Sequence, residues 1–371
     1  MRIIHTADLH LDSSLSAYLK GEKGKKRSAE LRENFRRLVN YAKENEVSAV
    51  LIAGDMFDRS IVTGKTEDIL IYEIQNAPDI NFYVIKGNHD EAVNFWDSPD
   101  IPANLIVFDE IWKSCPLSDK TDIYAAEIKK NNVGSLVSSL LTNPDKINIV
   151  MLHGQISDYA SAGKEECIPL NNLKNKNIDY LALGHIHSYK AGEIDSRGIY
   201  VYPGCLEGRG FDEDGEKGFV LVDIDEDSMK VNHTFVPFAG RRVYVEEVDV
   251  SGCSTTPEME DRINSLSVIK NHTVNSDDML KIILTGKLFM DVTVDTIGLN
   301  EHFKDDYFVF KIEDNTEIFV DYESFEADLS LKGEFVRLVK NEDLPDSEKS
   351  KIIQMGVELL KKNKLEFNGE W

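Results

Sequence analysis

The hydrophobic pattern of the chain changes period repeatedly, and each change marks an element. Largely apolar runs occur at Ile3-Ile4 and at residues 47–53, 82–85, 147–152 and 180–183. A run without polar alternation, such as Val50-Leu51-Ile52-Ala53, predicts a strand covered on both faces. Between these runs the period becomes helical. Residues 28–46 place Leu31, Phe35, Leu38, Val39 and Ala42 at three- and four-residue spacings, which predicts an amphipathic helix with Arg32, Arg36 and Arg37 on its wet side. Residues 63–76 predict a second helix and 133–141 a short third one. Hairpin-like strands follow at 200–202, 218–225 and 231–236.

Up to about residue 237 strands and helices alternate, the signature of a layered α/β domain. Pro237-Phe238-Ala239-Gly240 reads as the boundary, after which a strand over 242–250 opens a smaller α+β region. That region has a predicted helix over 257–266 and strands over 280–284 and 307–312. Helices over 331–340 and 345–362 end the chain. In the last helix Ile353, Val357 and Leu360 share one face, widened by Ile352, Met355 and Leu359, and packing on the parent domain is the favoured role over docking a partner helix. The expected divisions are 1–238, 239–328 and 329–371.

The 371 residues exceed one small core and carry a net charge of −24, which argues against indiscriminate nucleic-acid binding. A local contact stays open, because screening over roughly 8 Å lets a site respond to its neighbourhood. The basic cluster Lys20, Lys23, Lys25, Lys26 and Arg27 reads either as a solvated loop or as such a contact. Cys115, Cys167, Cys205 and Cys253 are scattered, so reduced thiols are expected. The chain opens directly on a strand pattern and has no apolar run of membrane-spanning length, so a soluble, cytoplasmic protein without a membrane partner is expected.

The chemistry gathers where apolar runs end. Asp8 and His10 follow the first, Gly54-Asp55 the second, Gly87-Asn88-His89-Asp90 the third, His153-Gly154 the fourth and Gly184-His185-Ile186-His187 the fifth. Each short motif is weak alone. Together they hold five of the nine histidines beside hard oxygen ligands at strand ends, the arrangement a binuclear metal site needs. His5 alternates with these ligands inside the first strand and reads as structural; His233, His272 and His302 fall outside every motif.

This set resembles the calcineurin-like metallophosphoesterase superfamily over most of residues 1–237. Within it, residues 4–12, the Gly54-Asp55-Met56-Phe57-Asp58 turn, and Tyr202-Pro203-Gly204 leading to Glu213 and Lys217-Gly218-Phe219 look like the SbcD-type DNA repair exonuclease family. Residues 331–337 look like its YhaO-type branch. The resemblance implies a layered β-sandwich flanked by helices, with a smaller α+β C-terminal cap domain and terminal helices. It implies one metal ion on Asp8, His10 and His187, another on Asn88, His153 and His185, and Asp55 bridging them. Such a carboxylate holds two cations about 3.5–4 Å apart, where they share a hydroxide and clamp a phosphoryl group. Mn²⁺ is favoured by resemblance, with Fe and Zn²⁺ also suited to imidazole and oxygen ligation.

His89 is implied to contact phosphate and to stabilise the transition state or protonate the leaving oxygen, with Asp90 orienting it or a ligand. Some nucleases of the group carry a polarity-steering histidine where this chain has Asp58. Arg59, Arg209 and Lys217 are candidate phosphate contacts or partners of local carboxylates. The expected function is a metal-dependent phosphodiesterase acting on DNA in repair, beside an SbcC-type coiled-coil ATPase, and the resemblance alone implies a homodimer. Two other readings stand beside it: a phosphodiesterase for nucleotides or other small phosphoesters, and a partner-binding subunit with a structural metal site.

Overall fold

The computed structural model describes residues 1–13, 19, 21–58, 62–90, 92–129, 132–157, 167–290 and 292–362. Its internal contacts divide the chain into two units, Met1–Arg242 and Val243–Trp371.

The first unit is a two-sheet sandwich. One six-stranded sheet runs β14 (Lys230–Pro237), β13 (Gly218–Asp225), β1 (Arg2–Thr6), β2 (Ala49–Ala53), β3 (Asn81–Ile85) and β4 (Leu105–Val107). The other runs β11 (Lys190–Glu193), β12 (Ile199–Tyr202), β10 (Tyr180–Gly184), β7 (Ile147–His153), β6 (Thr121–Ala125) and β5 (Lys113–Pro116). The inner strands of each sheet are parallel; antiparallel strands close both ends of the second sheet and the β13–β14 end of the first, whose other end is the parallel strand β4. Ile3, Leu51 and Tyr83 of the first sheet and Ile123, Ile149 and Tyr180 of the second share one core between the sheets. Both faces of the inner strands are thus dry, which is why their sequences lack alternation. Helix α3 (Val133–Ser139) places Leu136 and Val137 in a second cluster with Val150, Leu152, Leu181 and Leu183 of the opposite face. A short pair, β8 (Gln155–Ser157) and β9 (Cys167–Pro169), completes the strands of this unit.

Helix α1 (Glu22–Glu44) buries Leu31, Phe35, Leu38, Val39 and Ala42, the apolar face its spacing predicts, but it starts earlier than expected. Lys23, Lys25, Lys26 and Arg27 therefore lie on a helix and not in a loop. Arg27 is fully buried and ion-paired with Glu30 and Glu207, so it is neither solvated nor free for nucleic acid. Arg32 also departs from the wet side: its side chain is 11% exposed and pairs with Asp12 at 3.3 Å. In both cases a buried carboxylate partner, invisible to helical periodicity, offsets the cost of desolvating the guanidinium. Helix α2 (Gly64–Gln75) is capped by Thr63, whose side chain accepts from the Thr66 amide. Lys20 and Arg59 lie outside the described residues.

The second unit has a parallel sheet of β15 (Val243–Asp249), β16 (Met279–Thr285) and β18 (Val309–Asp314), with helices α4 (Thr256–Asn264), α5 (Ser267–Lys270) and α6 (Thr296–Phe303). A parallel pair, β17 (Lys287–Phe289) and β19 (Glu317–Phe319), precedes α7 (Tyr322–Glu326), α8 (Leu331–Lys340) and α9 (Asp346–Lys362). Ile353 and Val357 of α9 join Val320, Phe325, Val336 and Val339 in a cluster of this unit. Leu360, expected on the same face, is instead 42% exposed, as are Ile352 and Met355 to similar degrees.

Candidate metal centre

Parallel strands deliver their carboxyl ends to one edge, and here two sheets do so together. The loop after β1 zips onto the turn after β2, with amides of Asp8, His10 and Leu11 donating to carbonyls of Gly54, Asp55 and Met56 at 2.9–3.0 Å. Asp8, His10, Asp55 and His185 all take positive φ, at 51°, 43°, 51° and 96°. Non-glycine residues rarely do so, and such strain persists where surrounding structure over-determines it, most often at functional sites. Glycines make the room. A Cβ on Gly87 would stand 2.1 Å from Asp55 Oδ1, and one on Gly184 would stand 2.0 Å from the Ala53 carbonyl and 2.8 Å from His153 Nδ1.

The residues read from the sequence converge. Asp8, His10 and His187 present ligand atoms within 4.8 Å of one another, and so do Asp8, Asp55 and His153. His10 Nε2 faces His187 Nε2 at 3.2 Å, and His153 Nε2 lies 3.2 Å from Asn88 Oδ1 and 3.5 Å from Asp55 Oδ2. His185 stands edge-on to His153 at 5.4 Å between ring centres, while its amide donates to both oxygens of Asp8. Outside this compact set, its ring borders the His153 side of the cluster. His89 is open to solvent, as is Asn88; its side chain is 43% exposed, and its amide donates to Asp55 Oδ1 at 3.0 Å.

Burial sets the protonation of this cluster. Desolvation lowers His10 and His185, and lowers His153 to about 4, so these imidazoles are neutral near pH 7 and keep a lone pair for a cation. The same desolvation, then the charge of Asp55, drives the Asp8 carboxyl well above its usual range. Two carboxylates, 1% and 2% exposed, repel each other at the centre of neutral imidazoles. That donor set is costly as it stands and fits divalent cations, whose charge would reverse the balance.

Supporting residues differ from the sequence reading. Of the two roles expected for Asp90, its hydrogen bonds fit the orienting of a ligand and not of the His89 ring: it accepts from the amides of Met56, Phe57 and Gly87, tying the turn after β2, which carries Asp55, to the turn after β3. Burial, then the charge of Asp55, pushes Asp90 up to about 7 against the pull of these amides. It is Asp58 that meets His89, with Oδ1 3.5 Å from Nδ1, and the same oxygen lies 3.2 Å from His10 Nδ1. Lys217 is 4% exposed and donates to the His187 carbonyl at 2.8 Å, so it faces no substrate. Glu213, quoted in the sequence only as part of a motif, stands 2.7 Å from His187 Nδ1 and pairs with Arg209. Its distance of 26 residues from His187 hid this role; only an acidic residue isolated from solvent would have signalled it.

The chain is 28% identical over 245 residues to the uncharacterized metallophosphoesterase YhaO of Bacillus subtilis, covering 60% of this chain and 57% of that one, less than two thirds of the relative. It is 22% identical to the DNA double-strand break repair protein Mre11 of Sulfurisphaera tokodaii, over 77% of this chain and 74% of the other. Over 107 residues, 28% of this chain and 25% of the other, it is 30% identical to a component of the nuclease SbcCD of Escherichia coli K12. Among solved structures, a dimetal phosphatase from Danio rerio superposes with a TM-score of 0.40 at 10% identity, over 64% of this chain and 99% of that one. The model of the calcineurin-like phosphoesterase family matches residues 1–189, the stretch that supplies every converging residue above, and the chain belongs to that family.

Proposed function

We propose that this protein is a two-metal phosphodiesterase of the SbcD type, in its YhaO-like branch, that hydrolyses DNA phosphodiester bonds. The observation that carries the reading is the convergence of buried carboxylates and imidazoles around one open edge, with the half-exposed His89 beside them. Asp8, His10 and His187 would hold one ion, Asn88, His153 and His185 the other, with Asp55 between. Mn²⁺ suits this mixed set, as do Fe and Zn²⁺. Bound there, the ions would lower the pKa of a water and neutralise charge on the phosphoryl oxygens. The chain's own residues do the rest. Desolvation keeps His10, His153 and His185 neutral, Asp90 fixes the turns that carry Asp55 and Asn88, and Asp58 orients His89 toward the leaving oxygen, to which it gives a proton.

Relatives named for double-strand break repair and for a nuclease support DNA as substrate and a coiled-coil ATPase of the SbcC type as partner. Residues 239–328 would then form a cap and 329–371 the terminal helices, with a homodimer and a cytoplasmic setting following from the same relationship. A second reading, a phosphodiesterase for nucleotides or small phosphoesters, is favoured by one observation: Arg209 and Lys217, two basic side chains beside the site, are occupied by protein partners.

Hydrolysis of linear duplex DNA, single-stranded DNA and a nitrophenyl phosphodiester with Mn²⁺ separates these readings. DNA cleavage is expected, and His89→Ala should keep its metal while losing on the order of 10²–10⁴-fold in rate. Turnover of the small diester alone, with and without an ATPase partner, would contradict the DNA assignment.

A further inference from the structure

The two imidazoles assigned above to one ion share an unusual support. Behind His187, Glu213 Oε1 stands 2.7 Å from Nδ1; behind His10, Asp58 Oδ1 stands 3.2 Å from Nδ1. At 2.7 Å Glu213 holds the His187 ring proton on Nδ1 and leaves Nε2 as the ligating atom; Asp58 sets a carboxylate charge beside His10 Nδ1 without an aligned hydrogen bond, and the two Nε2 atoms face each other at 3.2 Å. Both carboxylates are gripped by one guanidinium. Arg209 gives Nη2 to Glu213 Oε1 at 2.6 Å and Nε to the same oxygen at 3.0 Å, while Nη1 reaches Asp58 Oδ1 at 3.0 Å. Its backbone amide adds a bond to Glu213 Oε2 at 2.6 Å, and Ser13 Oγ donates to Asp58 Oδ2 at 3.1 Å. A planar fork can span two carboxylates in this way; an ammonium cannot.

His153 is backed differently. Its Nδ1 lies 2.9 Å from the carbonyl of Ala53, a neutral acceptor supplied by a strand and independent of Arg209. His153 therefore rests on a support separate from the one behind His10 and His187.

We propose that Arg209 is a positioning residue: by locking Asp58 and Glu213 behind His10 and His187, it tunes the affinity of the Asp8, His10 and His187 site alone. The inference rests on the two-metal reading. It assigns Arg209 to the metal centre and away from substrate phosphate, and it makes the two ions unequal, the one backed by carboxylates having the more basic ligands.

The test is a titration of metal-free protein with Mn²⁺ alone, without substrate, followed by calorimetry and by electron paramagnetic resonance. Wild type should take two ions and show the signal of a coupled pair. Arg209→Ala should keep one site unchanged and weaken the other about 10–100-fold, replacing the coupled signal by that of an isolated ion. Arg209→Lys, which keeps the charge and loses the fork, should recover only part of the affinity. Glu213→Gln removes one supporting charge at nearly constant shape, should weaken the same site, and carries the test if Arg209→Ala does not fold. Wild-type affinities at both sites in Arg209→Ala, with a raised KM for a phosphodiester, would make Arg209 a substrate contact and overturn the proposal. Equal weakening of both sites would overturn it as well. Failure of the wild-type protein to take two ions would instead refute the two-metal reading.

Discussion

At the scale of single residues, burial decides which groups of this chain carry protons. His5 shows the rule away from the cluster's ligands. It is fully buried in β1, its Nδ1 lies 2.9 Å from the Tyr180 hydroxyl, and desolvation lowers it to about 3. The unfolded chain takes up a proton below about pH 6.5 whereas the folded chain does not, so the neutral His5 supports the fold fully above that pH. This contribution is lost as pH falls from about 6.5 toward 3, at about 1.4 kcal/mol per unit. Urea unfolding between pH 7 and pH 4.5 should show a shallower pH dependence for His5→Gln than for wild type. Parallel curves would show that His5 is not protected from protonation.

The residues of the candidate centre were legible because their types are chemically specific and each follows an apolar run. Asp8, His10, Asp55, Asn88, His153, His185 and His187 are drawn to one edge by strands whose parallel order the sequence pattern implies. What escaped was their support. Asp58, Glu213 and Arg209 are common surface residue types, and nothing in their local spacing says that they are 18%, 3% and 19% exposed and joined. Pairing across distant segments is a property of tertiary packing, and a one-dimensional pattern does not encode it. The buried Arg27 was hidden for the same reason.

At the scale of elements, the site depends on how closely the two sheets approach at β2, β7 and β10. Gly184 ends β10 where a Cβ would stand 2.0 Å from the Ala53 carbonyl of β2, with no flexible side chain to yield. Its φ is unremarkable, so the constraint is one of space. The Gly184→Ala variant should lose on the order of 1–3 kcal/mol or more, as overpacking against backbone does, and weaken metal binding because His153 uses that same carbonyl. Urea midpoints and a Mn²⁺ titration check this; a variant as stable as wild type would show that the sheets can separate freely. Element positions were otherwise well anticipated. The strand over 218–225 and the helix over 331–340 coincide with their predicted limits, since each is bounded by turn or capping residues. Helix α1 ran longer because Lys23, Lys25 and Lys26 favour helix as readily as loop, and polarity alone could not tell the two apart.

At the scale of the whole molecule, the net charge of −24 and the two-unit division frame how the chain meets a substrate. An acidic protein gains little from general attraction to phosphates, so recognition must be local, and bound cations at Asp8 and Asp55 would supply that locality. No helix among the described residues is long and apolar enough to cross a membrane. The central claim is therefore about cations, and Asp55 tests it most directly, since its carboxylate lies between the two proposed sites and is buried beside Asp8. Metal content and nitrophenyl phosphodiester hydrolysis should be measured together on wild type and Asp55→Asn, each loaded with Mn²⁺ from the metal-free state. Two ions and turnover in wild type, with loss of both in Asp55→Asn, is the result the account predicts. Undiminished hydrolysis by Asp55→Asn would contradict it.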